Sequence, residues 1–115
     1  MMRQPAAAKP AGRADLIAAA RELRPHAARA AELLKVLGNE QRLMILCHLL
    51  SGPLSVAQIN ERVPLSQSAL SQHLAVLRAA GIVVTHRRSQ SVIYSLPRGF
   101  VVRIIGVLQR EFCPR

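Results

Sequence analysis

Two thiols and a cluster of small polar side chains are the residues of this chain best equipped for chemistry. Cys47 and Cys113 are its only cysteines. A thiolate is a nucleophile and a metal ligand, and two thiols can join directly when their Cα atoms lie within about 7 Å. The second set lies between Pro64 and Val83, where Ser68, Ser71, Gln72 and Arg78 alternate with Leu70, Leu74 and Leu77. The leucines recur at i, i+4 and i+7, which is one apolar stripe of an α-helix. The polar residues fall off that stripe. Short hydroxyls and an amide can approach a DNA groove and hydrogen-bond base edges or phosphates. A helix of this kind on a basic chain suggests DNA recognition.

The charge supports that direction. The 115 residues carry 16 Lys and Arg against 6 Asp and Glu, a formal net charge of +10. Only Lys9 and Lys35 are lysines. Arginine suits bidentate, planar contacts to phosphate and guanine. A polyanionic partner is implied, nucleic acid first among them. The only aromatic residues are Tyr94, Phe100 and Phe112. Single-strand and RNA readers stack bases on aromatic platforms, so duplex DNA fits better.

No apolar run approaches the length of a membrane span. The N-terminus shows Ala, Pro, Lys and Arg in place of an apolar secretion core, so a cytoplasmic location is expected. Both cysteines are then expected to be reduced, which argues against a static disulfide and leaves a switchable pair open. Taken singly, Cys47 also reads as a buried core hydrophobe and Cys113 as an incidental terminal thiol. Neither has the activating groups of a thiol enzyme in its sequence neighbourhood, so no enzymatic activity is expected.

These residues need elements to hold them. Residues 1–12 read as a flexible, basic, Ala/Pro-rich tail, and 13–115 as one domain. A helix is expected from Arg13 to about Leu23, interrupted by Pro25, with a second helix starting at Pro25 or His26. Its apolar stripe is Ala30, Leu33, Leu34 and Leu37. Gly38 ends it and Asn39 caps the next helix, which runs to about Ser51. Leu43, Met44, Leu46, Cys47, Leu49 and Leu50 make that helix apolar around most of its girth, so it is expected to be central. Ser55 with Gln58 is a capping box opening a short helix to about Val63, with Val56, Ile59 and Val63 facing the core. The recognition helix follows from about Gln67 to Ala80 and Gly81 ends it. The period then changes. Ile82, Val83, Val84 and Thr85 lead to His86-Arg87-Arg88, Ser89-Gln90, and Ser91 to Leu96, a β-hairpin with a polar tip. A last helix carries Phe100, Val101, Ile104, Ile105, Leu108 and Phe112. That much apolar surface needs a partner, and the N-terminal helix of a second subunit would supply one.

Three segments carry a family resemblance: Leu37-Gly38-Asn39-Glu40-Gln41-Arg42-Leu43-Met44-Ile45-Leu46, then Leu65-Ser66-Gln67-Ser68-Ala69-Leu70-Ser71-Gln72-His73-Leu74, then Ile93-Tyr94-Ser95-Leu96. From about residue 27 onward the chain resembles the winged-helix ArsR/SmtB family of bacterial repressors. The resemblance implies a mostly α fold with a two-stranded β-wing, a winged helix-turn-helix. It also implies a homodimer on a pseudo-palindromic operator. Recognition helices would enter successive major grooves, and wings would reach phosphates or the minor groove. The expected DNA-contacting residues are Gln67, Ser68, Ser71, Gln72, Arg78, Arg87, Arg88 and Gln90. His73 reads as a packed, hydrogen-bonded histidine. The chain departs from its relatives at the wing tip, where Ser89-Gln90 stands in place of a frequent glycine.

Members of this family release DNA on meeting an inducer, often a metal. The stretch that carries their usual thiolate pair is here Val56 to Glu61, which lacks cysteine, and the last helix offers only Glu111. A closed zinc site needs about four ligands, and His26, His48, His73 and His86 are scattered. Neither metal nor cofactor is expected. The placement of Cys47 and of Cys113 before Pro114 is instead similar to the persulfide-sensing branch, the sulfide-responsive and biofilm-associated repressors. That likeness implies a persulfide or polysulfide inducer and a chain of sulfur atoms bridging the two residues. Two further readings stay open: a general-oxidant sensor using a direct Cys47–Cys113 disulfide, and a winged-helix module that binds protein.

Overall fold

A computed structural model describes residues 12–113. The tail expected over residues 1–12 lies, apart from Gly12, outside the described residues. The described chain divides into two units between Glu32 and Leu33. The first unit holds helix α1 (Arg13–Leu23), a 3₁₀ turn (Arg24–His26) with Pro25 in its first positions, and the start of α2 (Ala27–Leu37). Asp15 in the first turn of α1 and Arg21 in its last complement the helix dipole. No residue of α1 is buried, and Leu16, Ile17 and Leu23 are exposed.

The second unit continues from the end of α2 through α3 (Glu40–Leu49), β1 (Leu54–Ser55), α4 (Val56–Arg62), α5 (Gln67–Ala79), β2 (Val84–Arg88), β3 (Ser91–Ser95) and α6 (Phe100–Phe112). Its core gathers Leu37, Ile45, Leu46, Leu49, Ile59, Leu70, Leu74, Leu77, Ile82 and Ile105. Helix α3 contributes three of these and packs against α4, α5 and α6, which is the central position its apolar girth implied.

Local chemistry sets the helix ends. Asn39 Oδ1 accepts from the Arg42 amide at 3.0 Å and starts α3. Ser55 and Gln58 close the capping box at the start of α4 in both directions, at 3.2 and 2.8 Å. Ser66 Oγ accepts from the Ala69 amide at 3.2 Å and starts α5. At the other end of α5, the Ile82 amide donates to the Leu77 carbonyl and the Gly81 amide to Arg78, both at 3.0 Å. Gly81 has φ +73°. This is a Schellman motif, which places a left-handed residue just past the helix and is most easily satisfied by glycine.

Three features differ from the sequence reading. The sheet has three strands in the order β1-β3-β2, because Leu54 and Ser55 pair antiparallel with Tyr94 and Ile93. A two-residue strand is too short to show a period, and Ser55 also serves as a helix cap, which masked it. Leu34 is not part of the buried stripe of α2; it is 58% exposed while Leu37 is buried. Met44 likewise points outward from α3, and the fully buried Ile45 takes the inward place beside Leu46.

Candidate nucleic-acid interface and thiol pair

Leu70, Leu74 and Leu77 are fully buried along one side of α5. A helix turns about 100° per residue, so Ser68 and Gln72 face directly away from that stripe. Gln67, Ser71 and Arg78 lie on the flank between. All five are exposed. Ala75 and Ala79, also exposed, keep the outer face shallow, so a surface can approach the backbone closely. Ser71 and Arg78 share a cleft of about 500 Å³ with Val56 and Tyr94. Ser71 and Arg78 therefore look toward the sheet, and Ser68 and Gln72 project straight out.

The helix-turn-helix angle is fixed by Asn60. Its Nδ2 donates to the Val63 carbonyl at 3.2 Å and to the Leu65 carbonyl at 2.9 Å, tying α4 to the turn before α5. Sequence reasoning missed this residue, since a lone asparagine near a helix end carries no distinctive signal.

The wing presents its own cations. Arg87 pairs across the hairpin with Val92, and Arg88 with Ser91. Arg87, Arg88 and Gln90 are exposed. Ser89 occupies the first loop position with φ +57°. A two-residue hairpin turn needs positive φ there, which explains why a glycine is favoured at such a tip. Serine bears that strain here.

His73 is half-buried, with Nδ1 3.4 Å from an Arg42 guanidinium nitrogen. Arg42 Nε also donates to the Val36 carbonyl at 2.7 Å. One arginine of α3 thus touches both the end of α2 and the inner flank of α5. The sequence reading placed Arg42 in a family segment without giving it this task.

The two thiols, far apart in sequence, lie on helices that pack against each other. Cys47 is half-buried on α3 and Cys113 is exposed at the end of α6; both are free. Burial pushes the Cys47 thiol above its ordinary pKa. The Gln109 side-chain amide, hydrogen-bonding to the sulfur, pulls the other way, and the charge of Cys113 pushes upward again. Gln109 was not singled out from sequence, because a glutamine in the last turn of a helix carries no distinctive signal. Among the described residues no group of three His, Cys, Asp or Glu side chains is placed to hold a metal ion.

Residues 39–85, which span α3 to the start of the wing, match the model for bacterial regulatory proteins of the arsR family. The transcriptional activator HlyU of Vibrio cholerae is 48% identical over 92 residues, covering 80% of this chain and 85% of that protein. This chain belongs to the arsR family. The biofilm growth-associated repressor of Xylella fastidiosa is 35% identical over 92 residues, covering 80% of this chain and 81% of that protein. The folds agree. The structure of reduced HlyU from Vibrio cholerae aligns with a TM-score of 0.76 at 47% identity, over 81% of this chain and 98% of that one. The Xylella fastidiosa repressor BigR aligns with a TM-score of 0.75 at 34% identity, over 83% and 97% respectively. As an arsR-family member, the chain is a winged-helix, DNA-binding transcriptional regulator and not an enzyme. No helix among the described residues is long and apolar enough to cross a membrane.

Proposed function

We propose that this protein is a homodimeric, cytoplasmic repressor that leaves its operator when persulfide sulfur joins Cys47 to Cys113. The observation that supports this reading is that Cys47 lies on α3 and Cys113 at the end of α6, two helices that pack against each other. Similarity to a biofilm growth-associated repressor supports the repressor role.

The duplex is held by the outer face of α5 and by the wing. Ser68 and Gln72 meet base edges in the major groove, and Gln67, Ser71 and Arg78 serve its rim. Arg87, Arg88 and Gln90 reach the flanking backbone, so affinity falls steeply with salt. Residues 13–115 act together as the DNA-binding and dimerisation domain. The second copy covers the apolar side of α6, where Phe100, Ile104, Val107 and Leu108 line a cleft of about 340 Å³. The exposed Leu16, Ile17 and Leu23 of α1 supply complementary apolar surface from that copy.

The sulfur chemistry balances with an organic persulfide as the only oxidant. Each cysteine thiolate attacks the outer sulfur of RSSH, forming Cys–SSH and releasing the thiol RSH. The Cys113 perthiolate then attacks the inner sulfur of the Cys47 persulfide and expels HS⁻. The product is a three-sulfur link, Cys47–S–S–S–Cys113, counting both cysteine sulfurs. A link of this kind ties the end of α6 to the middle of α3. Helix α3 also carries Arg42, which grips the end of α2 and touches His73 on α5, so a strain on α3 has a path to the recognition helix. A shift in operator affinity of about 1–3 kcal/mol is enough for regulation.

Gel-shift titrations with a persulfide donor test the reading. Wild-type protein is expected to lose operator affinity, while Cys47→Ser and Cys113→Ser proteins stay bound. An unchanged wild type, or a normal response from either variant, overturns it. Peroxide in place of persulfide tests the direct-disulfide reading.

A further inference from the structure

We propose that His73 is a positioning residue for the recognition helix: its Nδ1 takes the Arg42 guanidinium and thereby fixes the rotation of α5 about its own axis. The inference rests on the reading that the outer face of α5 meets base edges, and it adds the pair that aims that face. Arg42 is held from its backbone to its guanidinium. Its amide donates to the Asn39 cap at 3.0 Å. Its Nε donates to the Val36 carbonyl at 2.7 Å, in the last turn of α2, where helical carbonyls lack intrahelical donors. Its Nη1 then lies 3.4 Å from His73 Nδ1. Both side chains are half-buried. A guanidinium only donates, so Nδ1 accepts and the proton of the neutral ring sits on Nε2. At that length the bond is weak, and its worth lies in direction.

Direction matters because the rest of the seat has little. Leu70, Leu74 and Leu77 anchor α5 through apolar burial, which is non-directional. His73 stands roughly 60–70° around the helix from the centre of that stripe, on the flank opposite Ser71 and Arg78. Ser68 and Gln72 project from the far side. A side chain on the helix surface lies about 5–6 Å from the axis, so a turn of about 10° carries it about 1 Å. Hydrogen bonds to base edges work over a window of about 0.5 Å. An error of that size in rotation therefore loses base contacts and leaves the phosphate contacts of the wing in place.

The test compares variants of the full chain by gel shift on two duplexes: one selected by the parent protein from random-sequence DNA, and one of scrambled sequence. His73→Leu and Arg42→Met are expected to lower affinity for the selected duplex about tenfold, the worth of one good base contact, and to bind the scrambled duplex as the parent does. His73→Asn puts an acceptor oxygen close to the place of Nδ1 and is expected to restore most of the preference. Equal losses on both duplexes, which a merely structural role would give, overturn the proposal. So does a loss in His73→Asn as large as in His73→Leu, or a proton on Nδ1 in the proton–nitrogen correlation spectrum of the imidazole at about pH 8. That spectrum is read on the parent protein and needs no variant to fold. A Ser68→Ala, Gln72→Ala double variant reports on the underlying reading separately. If it keeps the preference, α5 does not read bases; if it loses the preference and His73→Leu does not, only the positioning role fails.

Discussion

Helices α5 and α6 are each 13 residues long, and they solve opposite problems. Helix α5 has a side-chain cap at its start, a glycine-closed end and a fully buried leucine stripe. Everything that holds it belongs to its own unit, and only a polar face is left over. Helix α6 starts at Gly99 with no side-chain cap, buries only Val101 and Ile105, and leaves Phe112 78% exposed. The difference separates a helix completed within its own unit from one whose apolar side is left open. In the proposed reading, the first holds several side chains at fixed spacing against DNA, and the second changes what it touches on pairing and sensing.

Substitutions on the two helices should expose that contrast. Leu74→Ala hollows the sealed side of α5 and is expected to cost about 2–5 kcal/mol, read by denaturant unfolding. Val107→Asp on the open side of α6 is expected to leave the protomer folded and to yield monomers in sedimentation at concentrations where the parent is dimeric. If Val107→Asp remains dimeric, α6 is not the pairing surface. Asn60→Ala leaves two turn carbonyls without their donor and is expected to cost about 1–2 kcal/mol, with weakened operator binding as α5 loses its fixed angle. If stability falls and binding does not, the turn does not aim the helix.

Smaller effects sharpen the picture. Ser89→Gly relieves a left-handed serine and is expected to raise stability by up to about 1 kcal/mol, measured by thermal melting. The thiol gives a pH effect of known sign. The fold raises the Cys47 pKa by burial, so it favours the protonated form. That stabilisation is complete below the pKa of the unfolded thiol and is lost as pH rises through the higher folded-state value. Melting temperature is expected to fall over that alkaline window, and to fall less in Cys47→Ser. An identical pH dependence in the variant would mean that Cys47 is not the titrating group.

The same contrast explains what could be read from the chain before any coordinates. The reader is built from local signals: the Leu70–Leu74–Leu77 period, the serine and asparagine caps, and Gly81 all act within a few residues, and each appears in the structure where its spacing puts it. Short-range patterns also marked the wing, but not the two-residue strand that joins it, because pairing with β3 is a long-range event. Leu34 and Met44 misled because apolar character does not distinguish a residue facing the core from one left open on the protomer surface. The environment of the thiols was legible only as two cysteines in two helices. That Arg42 reaches His73 depends on how α3 meets α5, which no local pattern encodes.

The most direct measurement is intact mass spectrometry after treatment with a persulfide donor, paired with operator affinity on the same sample. The expected result is a Cys47–Cys113 link carrying added sulfur mass, formed in step with the loss of DNA binding. Full loss of binding with both cysteines unlinked, or a sulfur link with binding intact, would contradict it.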